Sequence, residues 1–211
     1  LILLVTDHTR ILMDLVGYNP PVVTELSDLT AGEIPAGSDP DTTREIGGKP
    51  YPYDNTFVFF NGDGTITYTI LLDCTGIGSM AVVLGLVNAV AADWQRKLKA
   101  SALAVGIIYA ANLIRNVFIA LFYGNQYAHF VPDLTMAVWG LENPLRVSYI
   151  WADRIVAQSA SVVAMILIIW LMVRIVPEVM GPIEDILYLL TGEEYDLAGA
   201  LNVDAPPEVA D

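Results

Sequence analysis

The chain carries a single cysteine, Cys74, two histidines and only three lysines, Lys49, Lys97 and Lys99. One cysteine forbids an internal disulfide. Neither a CxxC nor a Cys/His cluster is present, which excludes a structural zinc site, so no metal and no cofactor is expected. Lys and Arg together number 10 against 24 Asp and Glu, a net charge of −14. No basic stripe exists to meet phosphates along a duplex, and nucleic acid is excluded as a partner. A lysine-poor, acidic composition suits concentrated salt, where screening removes the repulsion between carboxylates. Charged residues of all kinds make up 16% of the chain, where a soluble domain has about 25%. A signal peptide is missing as well. The chain opens LILLVTDHTR, without an initiator Met and with a basic residue after the apolar stretch. So abrupt an apolar start reads as that of a fragment whose earlier helices lie upstream.

What replaces the charge is apolar surface, 55% of all residues, gathered into three long runs. Residues 74–92 and 155–173 contain no charge, and residues 100–124 contain one, Arg115. About 20 apolar residues cross the hydrocarbon core of a bilayer, so each run reads as a transmembrane helix. Small residues among them (Gly76, Gly78, Gly85, Ala102, Ala110, Ser159, Ser161) suit close helix contacts in lipid. The expected fold is therefore mainly α, a polytopic membrane protein with three spans. The short connection DWQRKLK carries Arg96, Lys97 and Lys99, which places it in the cytoplasm by the positive-inside rule, and Arg174 agrees. Cys74, Arg115 and Arg154 then all fall toward the external side.

Three regions follow. Residues 1–54 read as an external amphipathic helix at 7–18 and an irregular acidic loop, the end of a membrane region that begins upstream. Residues 55–176 form the membrane domain. It opens with TFVFF, NGDG and TITYTILL, two β-rich runs around a tight turn, an external hairpin that leads directly to Cys74. Residues 125–153 read as a second external loop with Tyr149, Trp139 and Trp151 at the interface. Residues 177–211 are a cytoplasmic acidic tail with one amphipathic stretch, IEDILYLL.

Few residues are equipped for chemistry. Cys74 reads either as a small buried filler or as a nucleophile, because a thiol at the external start of a helix has its thiolate stabilised. Arg115 is the larger anomaly. An arginine inside a span costs about 2.5–3.5 kcal/mol on insertion scales and normally faces a polar interior. Asn112 and Asn116 lie on its face of the helix, placed to hold the guanidinium. Arg154 stands at a helix mouth with Gln158 one turn below and Asp153 beside it as a possible partner. His8 and His129, both external, are the available imidazoles for a general base to Cys74. Asn88, Ser159 and Ser161 read as packing and hydrogen-bonding groups.

Cys in DCTGIGS, Arg in NLIRN and Arg in ADRI follow one another at intervals of about forty residues, on one side of the membrane. In this order and spacing the set resembles the archaeosortase/exosortase family, in its haloarchaeal branch, over residues 55 to about 175. The resemblance implies a membrane cysteine transpeptidase acting on surface proteins that end in a sorting signal: a Pro-Gly-Phe motif, a hydrophobic helix and a basic tail. The S-layer glycoprotein is the implied main substrate, and an archaeal phospholipid the implied acceptor. It further implies Cys74, Arg115 and Arg154 as catalytic residues. On chemical grounds Arg115 is assigned to the oxyanion or substrate carbonyl and Arg154 to the thiolate, with Asn112, Asn116 and Gln158 in support. The proton acceptor is left open, since arginine is effectively always charged. The competing reading is a transporter or channel subunit that binds an anion at Arg115.

Overall fold

The computed structural model describes residues 1–23, 55–61 and 64–201. Residues 24–54 of the acidic loop expected over 19–54, the turn residues 62 and 63 and the acidic end of the tail lie outside these. The elements are α1 (Ile2–Leu15), β1 (Val22–Val23), β2 (Thr56–Asn61), β3 (Gly64–Thr69), a 3-10 turn (Leu72–Thr75), α2 (Ile77–Ala89) and α3 (Trp94–Gly124). They continue with α4 (Pro132–Trp139), α5 (Arg146–Tyr149), a π-helical segment (Ile150–Ala157), α6 (Gln158–Ile175), a second 3-10 turn (Pro177–Val179), α7 (Met180–Thr191) and α8 (Leu197–Leu201). Two compact units result, residues 1–75 with 112–160, and residues 76–111 with 161–211.

The first unit is built around the expected hairpin. β2 and β3 pair antiparallel from Thr56 opposite Thr69 to Asn61 opposite Gly64. Val22 and Val23 add a third strand against Phe57 and Thr56, within a stretch expected to be irregular. Alternation along β3 turns Ile66 and Tyr68 inward, and Ile70 just beyond the strand is buried with them, while Thr67 stays exposed. Asn55 closes the open end of the ladder: its carbonyl accepts from Ile70 N at 2.9 Å and its side-chain amide donates to Ile70 O at 2.7 Å. Phe57, Ile70, Val5, Met13, Ile119 and Val147 are fully buried in this unit. The end of α1 is tied to the loop after α3 by the hydroxyls of Tyr18 and Tyr127, 2.9 Å apart.

The region expected to be an external loop, 125–153, is largely helical. Pro132 supplies the fixed φ suited to a first helical position of α4, and Gly140, at φ 61°, ends it in the left-handed conformation. Trp151 donates from Nε1 to Thr135 Oγ1 at 3.1 Å and meets the Phe130 ring edge to face. These contacts anchor the π-helical segment to α4.

The second unit packs Val83 and Val87 of α2, Ala100, Ala104 and Ile108 of α3, Ile168 and Met172 of α6, and Val176 and Val179 into one core. Pro177 cannot continue the α6 ladder, and the chain turns there. Arg96 takes up the freed end. It donates from Nε to Ile175 O at 3.0 Å and forms a two-point pair with Glu178 at 2.8 and 2.9 Å.

Two stretches are long and apolar enough to cross a membrane, Trp94–Gly124 with 31 residues and Arg146–Ile175 with 30. Only 28% and 17% of their most apolar windows are buried, so most of that apolar surface faces outward. They match the second and third runs read from the sequence. The first run is different. Residues 74–92 give α2 with 13 residues, about 20 Å at 1.5 Å per residue, against a hydrocarbon core of about 30 Å. Gly76 causes the shortening at one end, with φ 74° in the left-handed region, and Val90 turns extended at the other.

Candidate active site

Every residue of the site lies in the first unit. Cys74 sits in the 3-10 turn Leu72–Thr75 rather than in the first turn of a helix, because Gly76 interrupts the helical path. The thiol is half-buried. Its turn is held by Cys74 N donating to Leu71 O at 3.0 Å and Thr75 Oγ1 donating to Leu72 O at 2.6 Å. The Cys74 carbonyl is gripped from the side. Asn112 Nδ2 and Asn116 Nδ2, one turn apart on α3, both donate to it, the second at 2.8 Å. The acceptor end of the Asn116 amide is fixed in turn by Tyr68, whose hydroxyl donates to Oδ1 at 3.2 Å. Burial pushes the Tyr68 phenol well above its ordinary range, so it stays a neutral donor.

This is not the role the sequence suggested for the two asparagines. They hold the backbone of Cys74, and the Arg115 guanidinium is held by Asp153 through an ion pair from Nη2 to Oδ1. Asp153 is buried and lies within the π-helical segment. Its other oxygen accepts from Tyr149 OH at 2.9 Å and lies 3.8 Å from Arg154 Nε. One carboxylate thus joins both arginines. π-Helical stretches are rare and recur at functional sites.

Cys74, Arg115, Asp153 and Arg154 share the wall of a cavity of about 510 Å³, together with Tyr68, Tyr123, Tyr149, Trp139, Leu141 and Arg146. Burial pushes the Cys74 thiol above its ordinary value. A backbone hydrogen bond at Leu71 and the Arg115 charge oppose that rise, and Asp153 and Asp73 reinforce it. Gln158 is exposed and does not line the cavity, nor do His8 and His129. Among the described residues no cluster of His, Cys, Asp and Glu is placed to hold a metal.

Three participants escaped sequence reading. Tyr68 carried a weak signal, a hydroxyl at an inward position between Ile66 and Ile70. Tyr149 reads from the sequence as an interface aromatic, although it stands one helical turn ahead of Asp153. Arg146 was passed over because it lies in a segment read as a loop.

The fold and the site define a membrane protein whose lone thiol shares a cavity with arginines set in its apolar helices. Residues 1–146 match the family model of the transmembrane exosortase. The chain is 38% identical to archaeosortase A of Haloferax volcanii over 200 residues, which is 95% of this chain and 58% of that protein. It is 41% identical to archaeosortase A of Natronomonas pharaonis over 123 residues, 57% of this chain and 39% of that protein. The chain thus spans less than two thirds of the length of either relative. No solved structure matches it. The chain belongs to the transmembrane exosortase family, as the order of Cys74, Arg115 and Arg154 had suggested.

Proposed function

We propose that this chain carries the catalytic centre of a membrane cysteine transpeptidase that removes C-terminal sorting signals from surface proteins and joins the new C-terminus to a lipid. The observation that carries the reading is the grouping of the only thiol with Arg115 and Arg154 on one cavity wall. Likeness to two archaeosortase A proteins supports it. The substrates are surface proteins with a Pro-Gly-Phe type signal, the S-layer glycoprotein among them, and the acceptor is an archaeal phospholipid. The acidic, lysine-poor composition fits work in concentrated salt.

In the proposed reaction the Cys74 thiolate attacks the scissile carbonyl, and the leaving segment departs as an amine once it receives a proton. The thioester left behind is then opened by the acceptor. Two arginines divide the electrostatic work. Arg115, fixed by Asp153 and opposing the burial of the thiol, favours the thiolate. Arg154, more than half exposed and only loosely held at 3.8 Å, is free to turn toward the carbonyl oxygen as negative charge develops there. This exchanges the roles assigned on chemical grounds from the sequence, where the pairing of Arg115 with Asp153 is not visible. The same carboxylate weakens the rival reading of an anion site at Arg115, whose charge is already compensated.

Topology enters the proposal with Arg96, Lys97 and Lys99 in the cytoplasm and the cavity toward the outside. In this scheme α2 is a third, short membrane element.

The test is processing of one sorting-signal protein in cells making the full-length enzyme. With Cys74→Ala and Cys74→Ser the substrate should keep its hydrophobic tail and gain no lipid, at unchanged enzyme abundance. A thioester-linked adduct, released by neutral hydroxylamine, should form on the parent and not on Cys74→Ala. Normal processing by Cys74→Ala would overturn the reading.

A further inference from the structure

The cavity wall holds three guanidinium groups and one carboxylate. Asp153 serves two of the three, paired with Arg115 and approached by Arg154. Arg146 is exposed, and its guanidinium forms no ion pair among the described residues. A site with surplus fixed positive charge attracts an anion, and a cavity with low-dielectric walls strengthens that attraction.

Position narrows the kind of anion. Arg146 is the first residue of the span Arg146–Ile175, and Arg154 lies eight residues further along it. The wall also carries apolar and aromatic groups, Trp139, Leu141, Ile150 and Tyr123 among them. A small, fully hydrated anion gains nothing from such walls. A molecule with an acidic head and an apolar body fits both features: its acid group at Arg146, level with the end of the span, and its apolar body along the wall. Arginine is suited to this, since its planar fork meets two oxygens of a phosphate or carboxylate at once.

We propose that Arg146 binds the acid group of an anionic amphiphile, a phosphate ester attached to an apolar chain, which enters the cavity as the acyl acceptor. The acceptor role rests on the transpeptidase reading, whereas the binding does not. Arg146 then selects acceptors by charge and holds them with their reactive group toward Cys74. It is a specificity residue, distinct from the pair that acts on the thiol and the carbonyl.

The lone thiol provides a reporter that needs no catalysis. In detergent-solubilised full-length protein at constant ionic strength, the rate of Cys74 alkylation by neutral iodoacetamide is followed. The competitors are dihexanoyl phosphatidic acid, below its micelle-forming concentration, and inorganic phosphate. The amphiphile should slow alkylation, and at a concentration at least tenfold lower than inorganic phosphate does. Arg146→Gln should weaken this protection about tenfold, the loss of one bidentate charged contact. Arg146→Lys, which keeps the charge and loses the fork, should fall between. Arg174→Gln, whose guanidinium stacks on Trp170 in the other unit, should match the parent. Equal protection by phosphate and by the amphiphile would overturn the proposal in favour of a free-anion site. Unchanged protection in a folded Arg146→Gln would overturn it outright. Because the assay reads occupancy, it can succeed where Cys74→Ala disproves the transpeptidase, and fail where the transpeptidase stands.

Discussion

Replacing Asp153 by Leu, alone and together with Arg115→Met, separates what the buried ion pair does for stability from what it does for chemistry. The pair is largely withdrawn from solvent, with side-chain exposures of 23% for Arg115 and 9% for Asp153. Removing one partner of a buried pair strands the other and typically costs about 3–5 kcal/mol. The partial exposure of Arg115 lets water relieve some of this, which favours the lower end, about 3 kcal/mol. An unpaired arginine within a span costs about 2.5–3.5 kcal/mol on insertion scales, which agrees. Tyr149 also loses its acceptor, but it is only half-buried and water can replace the bond. Replacing both charges by apolar groups is often neutral or stabilising by about 1–4 kcal/mol. The double variant should therefore return to within about 1 kcal/mol of the parent. Unfolding by SDS titration in mixed micelles gives the three free energies, and processing of a sorting-signal protein gives the activities. The expected pattern is one unstable variant, one stable variant and no activity in either. A double variant as unstable as Asp153→Leu alone would show that the charges do not compensate each other, and the pairing argument would fail.

The pH dependence of Cys74 alkylation carries a sign. The rate follows the thiolate, so it rises as pH climbs through the thiol pKa, which burial already sets above its ordinary value. Arg115→Gln removes a cation that opposes the rise, so its curve should move to higher pH. Asp73→Asn removes an anion that reinforces it, so its curve should move to lower pH. Two unmoved curves would mean that neither charge reaches the thiol. A packing prediction is independent of chemistry: a Cβ added at Gly124 would overlap the buried Phe59 ring. Gly124→Ala should cost about 1–3 kcal/mol in the same unfolding assay, and Phe59→Leu should relieve part of that loss. A neutral Gly124→Ala would show that the ring has room to move.

What the sequence disclosed depended on which signals survive without tertiary context. Long apolar runs announce membrane helices because lipid tolerates few alternatives, and two of the three, 100–124 and 155–173, lie in helices long enough to cross a membrane. The first run, 74–92, forms a shorter helix for a local reason. Hydropathy does not register that Gly76 is left-handed or that Val90 is extended, so composition overstated the helix. The hairpin was legible from alternation in TITYTI, but β1 was not, because a two-residue strand has no period. At the site, single unusual residues stood out: the lone thiol, and the arginine within a span, whose burial is costly. Their partners did not. Asp153 beside Arg154 looked like a simple neighbouring pair, whereas its closer partner, Arg115, is 38 residues away in sequence. Asn112 and Asn116 stood out as polar groups within an apolar run, but the group they bind is a backbone carbonyl, which leaves no trace in side-chain chemistry.

For the proposed reaction, the placement of those asparagines supplies the stiffness that a thiol on an irregular turn would need. A turn of four residues has little stiffness of its own, and Cys74 gains no helix of which it is the first turn. Stiffness is imported from α3. Asn112 and Asn116 fix the Cys74 carbonyl, and Arg115, between them in sequence, belongs to the same helical turn. The backbone that carries the thiol and the backbone that carries the guanidinium are therefore referred to a single rigid element. Tyr68 prevents the Asn116 amide from flipping its donor away, and Asp153 fixes the guanidinium through its ion pair. Sites whose first contacts are locked by a second layer on regular elements hold their geometry better than sites built on loops. In this protein the second layer consists of two amides, a phenol and a carboxylate. None of the four need touch the substrate for its loss to misplace the thiol.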